Sequence, residues 1–312
     1  MARRTLSPSA YRRVTLVALL ALAFIIVTGG AVRLTGSGLG CPDWPTCDGG
    51  RIVAPLETHA MVEFVNRTVT GLVSVAVIVA VLASLRRSPR RRDLVRLSLG
   101  LVAGVVGQIV LGGLTVLFDL APPLVMAHFL LSIAILADAL VLHWRAGQPD
   151  GVPRRPLVGP ELRTLGRVVT AATALVILLG TVVTAAGPHA GDKDVPRLGV
   201  SVHRAAQLHG FAVVLLLALV VTAALMLRRA GAPRAVRRRV EVLLAVLVAQ
   251  GAVGYVQYFT GVPVLLVGIH IAGAVAVWSA AVRFQLGLSG PEAAPRRPGG
   301  ATSEGRHAYA GA

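Results

Sequence analysis

The chain has 312 residues, of which 55% are hydrophobic and only 14% charged, with a formal net charge of +17. So apolar a composition excludes an ordinary soluble protein of this length. The placement of the charge excludes nucleic acid as the partner: of 31 Lys and Arg, 25 fall in alternate loops and at the two chain ends, the pattern that sets membrane topology.

After a basic tail over 1–13, apolar runs long enough to span a bilayer predict helices near 14–34, 61–85, 95–117, 124–144, 167–186, 205–228, 240–260 and 264–286. The first run is too long for a signal-peptide core and no small-residue cleavage site follows, so it reads as a retained helix. Two long connections, 35–60 and 187–204, fall on the sparsely basic side. A polar, Pro-rich linker over 145–166 falls on the basic side. Eight spans put both ends on one face. The basic loops make that face cytoplasmic in a cell membrane, with a secondary attraction to anionic lipid. The tail over 287–312 is rich in Gly, Pro, Ala and Arg and reads as disordered; His307 within it is discarded as a ligand. The fold expected is an all-α membrane protein, its eight transmembrane helices forming two tandem, parallel-oriented four-helix bundles over 14–144 and 167–286.

A duplication supports that division. Gln108 stands twenty residues before His128, and Gln250 twenty before His270, an offset of 142. Gly29 and Gly36, seven apart, answer to Gly180 and Gly187 at an offset of 151. The two offsets differ by loop length.

His128, His209 and His270 all fall in the first turns of helices running from outside to inside, hence at similar depth. Ionisable groups in lipid tend to mark function, and imidazoles on facing helices of a bundle suit axial ligation of heme. His203 competes with His209 as partner of His270 but lies nearer the helix start. In the first half His59, Glu63 and Asn66 share one helical face. Glu63 and Arg67 have the spacing of a plain intrahelical ion pair, while burial in a bundle makes Glu63 a site residue. Asn66 is a poor iron ligand, leaving His59 as the imidazole of that stripe. Cys41 and Cys47 lie in the first outer loop, where a disulfide can form as a loop staple or as a redox-active pair. His143 reads as an interfacial anchor, His189 as solvated, and Asp138 as inward-facing without a nameable partner.

With these residues assembled the chain resembles the heme A synthase family, membrane enzymes converting heme O to heme A. The resemblance rests on Thr28 to Cys47, TGGAVRLTGSGLGCPDWPTC, on Glu63-x-x-Asn66-Arg67 and on His128 after the short third connection. It implies an oxidoreductase that turns a porphyrin methyl of heme O into a formyl group for cytochrome oxidase. It further implies heme b as cofactor between His209 and His270, and a substrate heme in the first half with His128 as iron ligand. Glu63 matches the acidic residue needed for turnover, and Cys41 and Cys47 match a loop cysteine pair. Implied partners are heme O synthase, cytochrome oxidase assembly factors and an external thiol–disulfide protein. The family motif commonly has His where this chain has Asn66. Either His59 ligates from a shifted position, or the substrate iron is five-coordinate on His128. A b-type cytochrome subunit oxidising quinol is the alternative function. A transporter explains neither the matched histidines nor the cysteine loop.

Overall fold

The computed structural model describes residues 5–292; His307 lies outside them. Among the described residues eight helices are long and apolar enough to cross a membrane: α1 Pro8–Leu34, α2 Thr58–Arg86, α3 Arg92–Leu117, α4 Pro122–Ala146, α5 Pro160–Ala186, α6 Val202–Arg229, α7 Arg234–Phe259 and α8 Val264–Leu286. The chain is a multi-pass helical membrane protein. Each odd-numbered helix begins several residues before its apolar run. Those added turns are polar and lie outside the hydrophobic span, so hydropathy does not register them. Local chemistry starts them: Ser7 accepts from the Ala10 amide ahead of Pro8, and Pro160 opens α5, where a missing N–H costs nothing.

Helix contacts close two rings, α1–α2–α3–α4 and α5–α6–α7–α8. The rings meet where α8 packs on α1 and α4, and α4 on α5. Diagonally opposite helices within a ring are not packed together among the described residues. One buried cluster runs through the first ring into Val275, Trp278 and Val282 of α8; a second fills the other ring around Leu216, Leu227, Leu243 and Phe284. The Trp278 indole N–H donates across the seam to the Ile133 carbonyl at 3.0 Å. Outside, Leu16, Val17, Leu20 and Phe24 of α1 stay exposed at helical spacing, as lipid requires.

The basic end is tied by ion pairs. Arg87, 2% exposed, donates to both carboxylate oxygens of Asp150 at 2.8 Å, and Arg91 pairs with Asp93 at 2.7 Å. Two short strands, β1 Arg154–Pro156 and β2 Ser289–Pro291, pair antiparallel, so the start of the tail is ordered against the linker. Such short polar strands carry no periodicity that a sequence could reveal.

At the other end two tight turns repeat each other. Asp119 and Leu120 (φ 48° and 54°) join α3 to α4, and Gly261 and Val262 (φ 79° and 60°) join α7 to α8. The Leu120 amide donates to the Thr115 carbonyl at 2.8 Å and the Val262 amide to the Gln257 carbonyl at 2.7 Å, a Schellman closure in each half. A β-branched residue at positive φ costs about 1–3 kcal/mol. Packing holds it: the Val262 carbonyl accepts from His189 Nε2 at 2.8 Å. His189 is therefore a fixed inter-loop contact rather than solvated, and its own carbonyl accepts from Arg33 at 2.7 Å.

Candidate functional site

The repeated turns set the register of the histidines behind them. His128 lies six residues past the start of α4 and His270 six past the start of α8, about 9 Å down each helix. His209 is seven residues into α6. His270 and His209 stand on diagonal helices of the second ring.

Three glycines form ledges for these rings. A Cβ on Gly112 would stand 3.2 Å from His128 Cε1, on Gly254 3.1 Å from His270 Cε1, and on Gly180 3.2 Å from His209 Cε1. Gly112 and Gly254 share the 142-residue offset of the histidines, the one signal of them in the sequence. Of Gly29, Gly36, Gly180 and Gly187, Gly180 alone touches an imidazole.

The glutamines act on the backbone beside the rings. Gln108 Nε2 donates to the His128 carbonyl at 3.0 Å, and Gln250 Nε2 to the His270 carbonyl at 2.8 Å. Gln108 also reaches Ser132 Oγ. These interhelical bonds fix α4 against α3 and α8 against α7 at the depth of the histidines.

His209 Nδ1 faces the Val176 carbonyl at 3.1 Å. A carbonyl only accepts, so Nδ1 carries the proton and the Nε2 lone pair is left free, the arrangement that prepares imidazole for a metal. Nδ1 of both His128 and His270 is buried without a partner. Among the described residues no three His, Cys, Asp or Glu side chains come together to hold a bare metal ion. A heme iron needs only one or two protein ligands, because the porphyrin supplies the rest. Imidazole on a glycine ledge, within a ring whose diagonal helices stand apart, fits that group.

Glu63 is buried at 5% exposure and sits beneath the cysteine loop. Its Oε2 accepts from the Cys41 amide at 2.8 Å, and its Oε1 from Arg67 Nε at 3.1 Å and Nη2 at 2.5 Å. Arg67 then donates to three loop carbonyls, Cys41 at 2.9 Å, Asp43 at 3.1 Å and Thr46 at 2.8 Å. The pair is thus more than an intrahelical bridge: it clamps the loop onto α2. Cys41 and Cys47 are joined by a disulfide, both sulfurs in a small buried cluster with Ala54 and Ala60. Close approach of loop to helix needs Gly40, since a Cβ there would collide with the His59 carbonyl. Trp44, carried by the same loop, lies on Gly113 of α3, next to the Gly112 ledge.

Asn66 lies one turn below Glu63, its Oδ1 buried and without a partner. His59 stands apart from both, exposed at the start of α2, with Nδ1 3.0 Å from Ser37 Oγ. His203, also exposed, meets the Tyr258 hydroxyl at 2.9 Å. His143 meets Thr15 Oγ1 at 3.1 Å near the basic end. Asp138 faces Gly100 of α3.

Fold and site together define a multi-pass membrane protein built on two helix rings with half-buried, glycine-backed imidazoles. Residues 12–192 match the COX15-CtaA family, described as a cytochrome oxidase assembly protein, and the chain belongs to that family. It is similar to proteins named heme A synthase. That of Lysinibacillus sphaericus is 28% identical over 169 residues, 52% of this chain and 54% of the relative. That of Bacillus licheniformis is 29% identical over 124 residues, 39% and 41%, and that of Listeria monocytogenes 29% over 164 residues, 51% and 54%. These matches span about half the length of the curated relatives or less.

Proposed function

We propose that the chain is a heme A synthase, oxidising a ring methyl group of heme O to a formyl group and so giving heme A for cytochrome oxidase. The observation carrying this reading is the repeated, glycine-backed imidazole of the two rings, joined to a family named for cytochrome oxidase assembly. In this reading His209 and His270 are the axial ligands of a resident heme b, and His128 holds the iron of the substrate. The basic end and both termini are cytoplasmic, and the disulfide end faces outward.

The methyl group is oxidised in successive two-electron steps through an alcohol and a hydrated aldehyde. Heme b, when bound, accepts and passes on electrons leaving the substrate. The protein's own residues do the rest. His128, fixed by Gln108 and its glycine ledge, sets the position of the substrate iron. Apolar side chains of the first ring, whose diagonal helices are not packed together, would cover the macrocycle and keep water away. Glu63 is held in place by Arg67 and the Cys41 amide, whose hydrogen bonds favour its carboxylate form. Three acceptor directions are taken, and a carboxylate has about four, so negative charge remains available near a carbon developing positive character. Arg67 keeps the cysteine loop, with Trp44, over the Gly113 end of that ring. Heme O synthase as supplier of the substrate and cytochrome oxidase assembly factors as takers of the product are the partners that suit this reaction. The loop disulfide serves as a staple, or, as a redox-active pair, would exchange with an external thiol–disulfide protein.

The test is heme extraction and mass analysis from cells that make heme O and express the chain. Formyl-bearing heme should appear, and Glu63→Ala should abolish it while leaving the b-type spectrum. A b-type spectrum with no formyl product from the unaltered chain overturns the reading and favours an electron-transfer subunit.

A further inference from the structure

Asn66 occupies in α2 the place that His209 occupies in α6. It lies eight residues past Thr58, as His209 lies seven past Val202, and the offset of 143 nearly equals the 142 that relates Gln108 to Gln250, Gly112 to Gly254 and His128 to His270. The surroundings differ in one respect. Gly180 of α5 backs the His209 ring, while Gly29, its counterpart in α1, meets no atom within 4 Å. Where the repeat has an imidazole on one side of the second ring, the first ring has a shorter amide and open space. That amide has a buried, unpartnered Oδ1, a costly arrangement unless a ligand supplies the missing bond. Amide groups are hard ligands suited to calcium or magnesium, not to heme iron. His59 does not fill the gap. It lies seven residues toward the disulfide end, about 10 Å along the helix, and its ring is engaged by Ser37.

We propose that His128 alone holds the substrate iron, and that Asn66 leaves the opposite coordination position open to a small exchangeable ligand: water, which would donate to the unpartnered Oδ1, or in its place a diatomic ligand, to which the amide Nδ2 would donate. The inference rests on the heme reading above and adds a binding position to it. The second ring, with imidazole on both sides, has none. One duplicated scaffold thereby yields two iron environments: a closed one suited to passing electrons and an open one where a small molecule meets the metal.

The experiment uses the full-length protein in detergent, loaded with protoheme, with carbon monoxide as probe of the ferrous state and cyanide of the ferric state. One of the two hemes should bind carbon monoxide. Asn66→His should abolish that binding and convert the heme to a low-spin, six-coordinate spectrum, while His209→Ala should open the second heme to the gas. Should Asn66→His fail to fold, Asn66→Ala serves: it should still bind carbon monoxide and should weaken cyanide about fivefold, the worth of one hydrogen bond. Unaltered protein whose hemes are both inert to carbon monoxide overturns the proposal, as does His59→Ala creating the reactivity. Heme A made by carbon-monoxide-inert protein removes the open position and leaves the proposed reaction. Carbon monoxide binding without heme A in cells removes the reaction and leaves the open position. No heme bound in the first ring removes both.

Discussion

Arg67→Ala should release the cysteine loop. The guanidinium is 24% exposed and its carboxylate partner 7%, and it makes two contacts to Glu63 and three to loop carbonyls. Breaking a buried ion pair by removing one partner costs about 3–5 kcal/mol. The lower end applies here, since water can reach this rim and Glu63 keeps the Cys41 amide. A cost of about 3 kcal/mol raises the open population of the loop by roughly a hundredfold, at about 1.4 kcal/mol per factor of ten. With opening fast relative to attack, the rate at which a small external thiol reduces the disulfide follows that population. Alkylation of the freed Cys41 and Cys47, followed by mass, measures it. Reduction less than threefold faster in Arg67→Ala than in the unaltered protein would mean that the loop is held by something other than this clamp.

Three further outcomes follow from the same geometry. Gly254→Val should lower heme occupancy of the second ring and Gly112→Val that of the first, because each side chain would enter the space of an imidazole 3.1 or 3.2 Å from the added Cβ; equal loss from both rings in either variant would contradict the assignment of ledges. Gln250→Leu removes the bond to the His270 carbonyl and should cost about 1 kcal/mol, read as a lower thermal midpoint of the b-type absorbance, and an unchanged midpoint would leave the glutamine without this role. Arg87→Met strips Asp150 of its bidentate partner and should destabilise the basic end by about 3 kcal/mol; protease cutting in the 145–166 linker is the readout, and an unaltered cutting rate speaks against it.

The eight helices were legible because each must present an apolar stretch long enough for the bilayer. The Gln–His spacing was legible because both partners of the interhelical bond are polar residues in apolar runs. Helix starts at the basic end precede the apolar runs, since the turns carrying Tyr11, Leu162 and Val236 are helical without being uniformly apolar. The four-residue step from Glu63 to Arg67 announced an ion pair, but nothing local announced three carbonyls from a loop more than twenty residues away. Gly112 and Gly254 are not legible as ledges, because glycine in an apolar run has many uses, and only the ring lying on each separates a ledge from a kink. The two left-handed turns, Asp119–Leu120 and Gly261–Val262, share a backbone and no residue type, so only their 142-residue offset, the one that relates the Gln–His pairs, links them in the sequence. The β1–β2 pairing joins segments 135 residues apart, beyond any pattern that periodicity can carry.

The account stands on imidazoles gripping a heme in each ring, and heme content of single-histidine variants tests this most directly. Purified protein should carry two hemes, of which His128→Ala loses one and either His209→Ala or His270→Ala disturbs only the other. Colourless protein after heme supplementation, or one heme answering to all three substitutions, would contradict it.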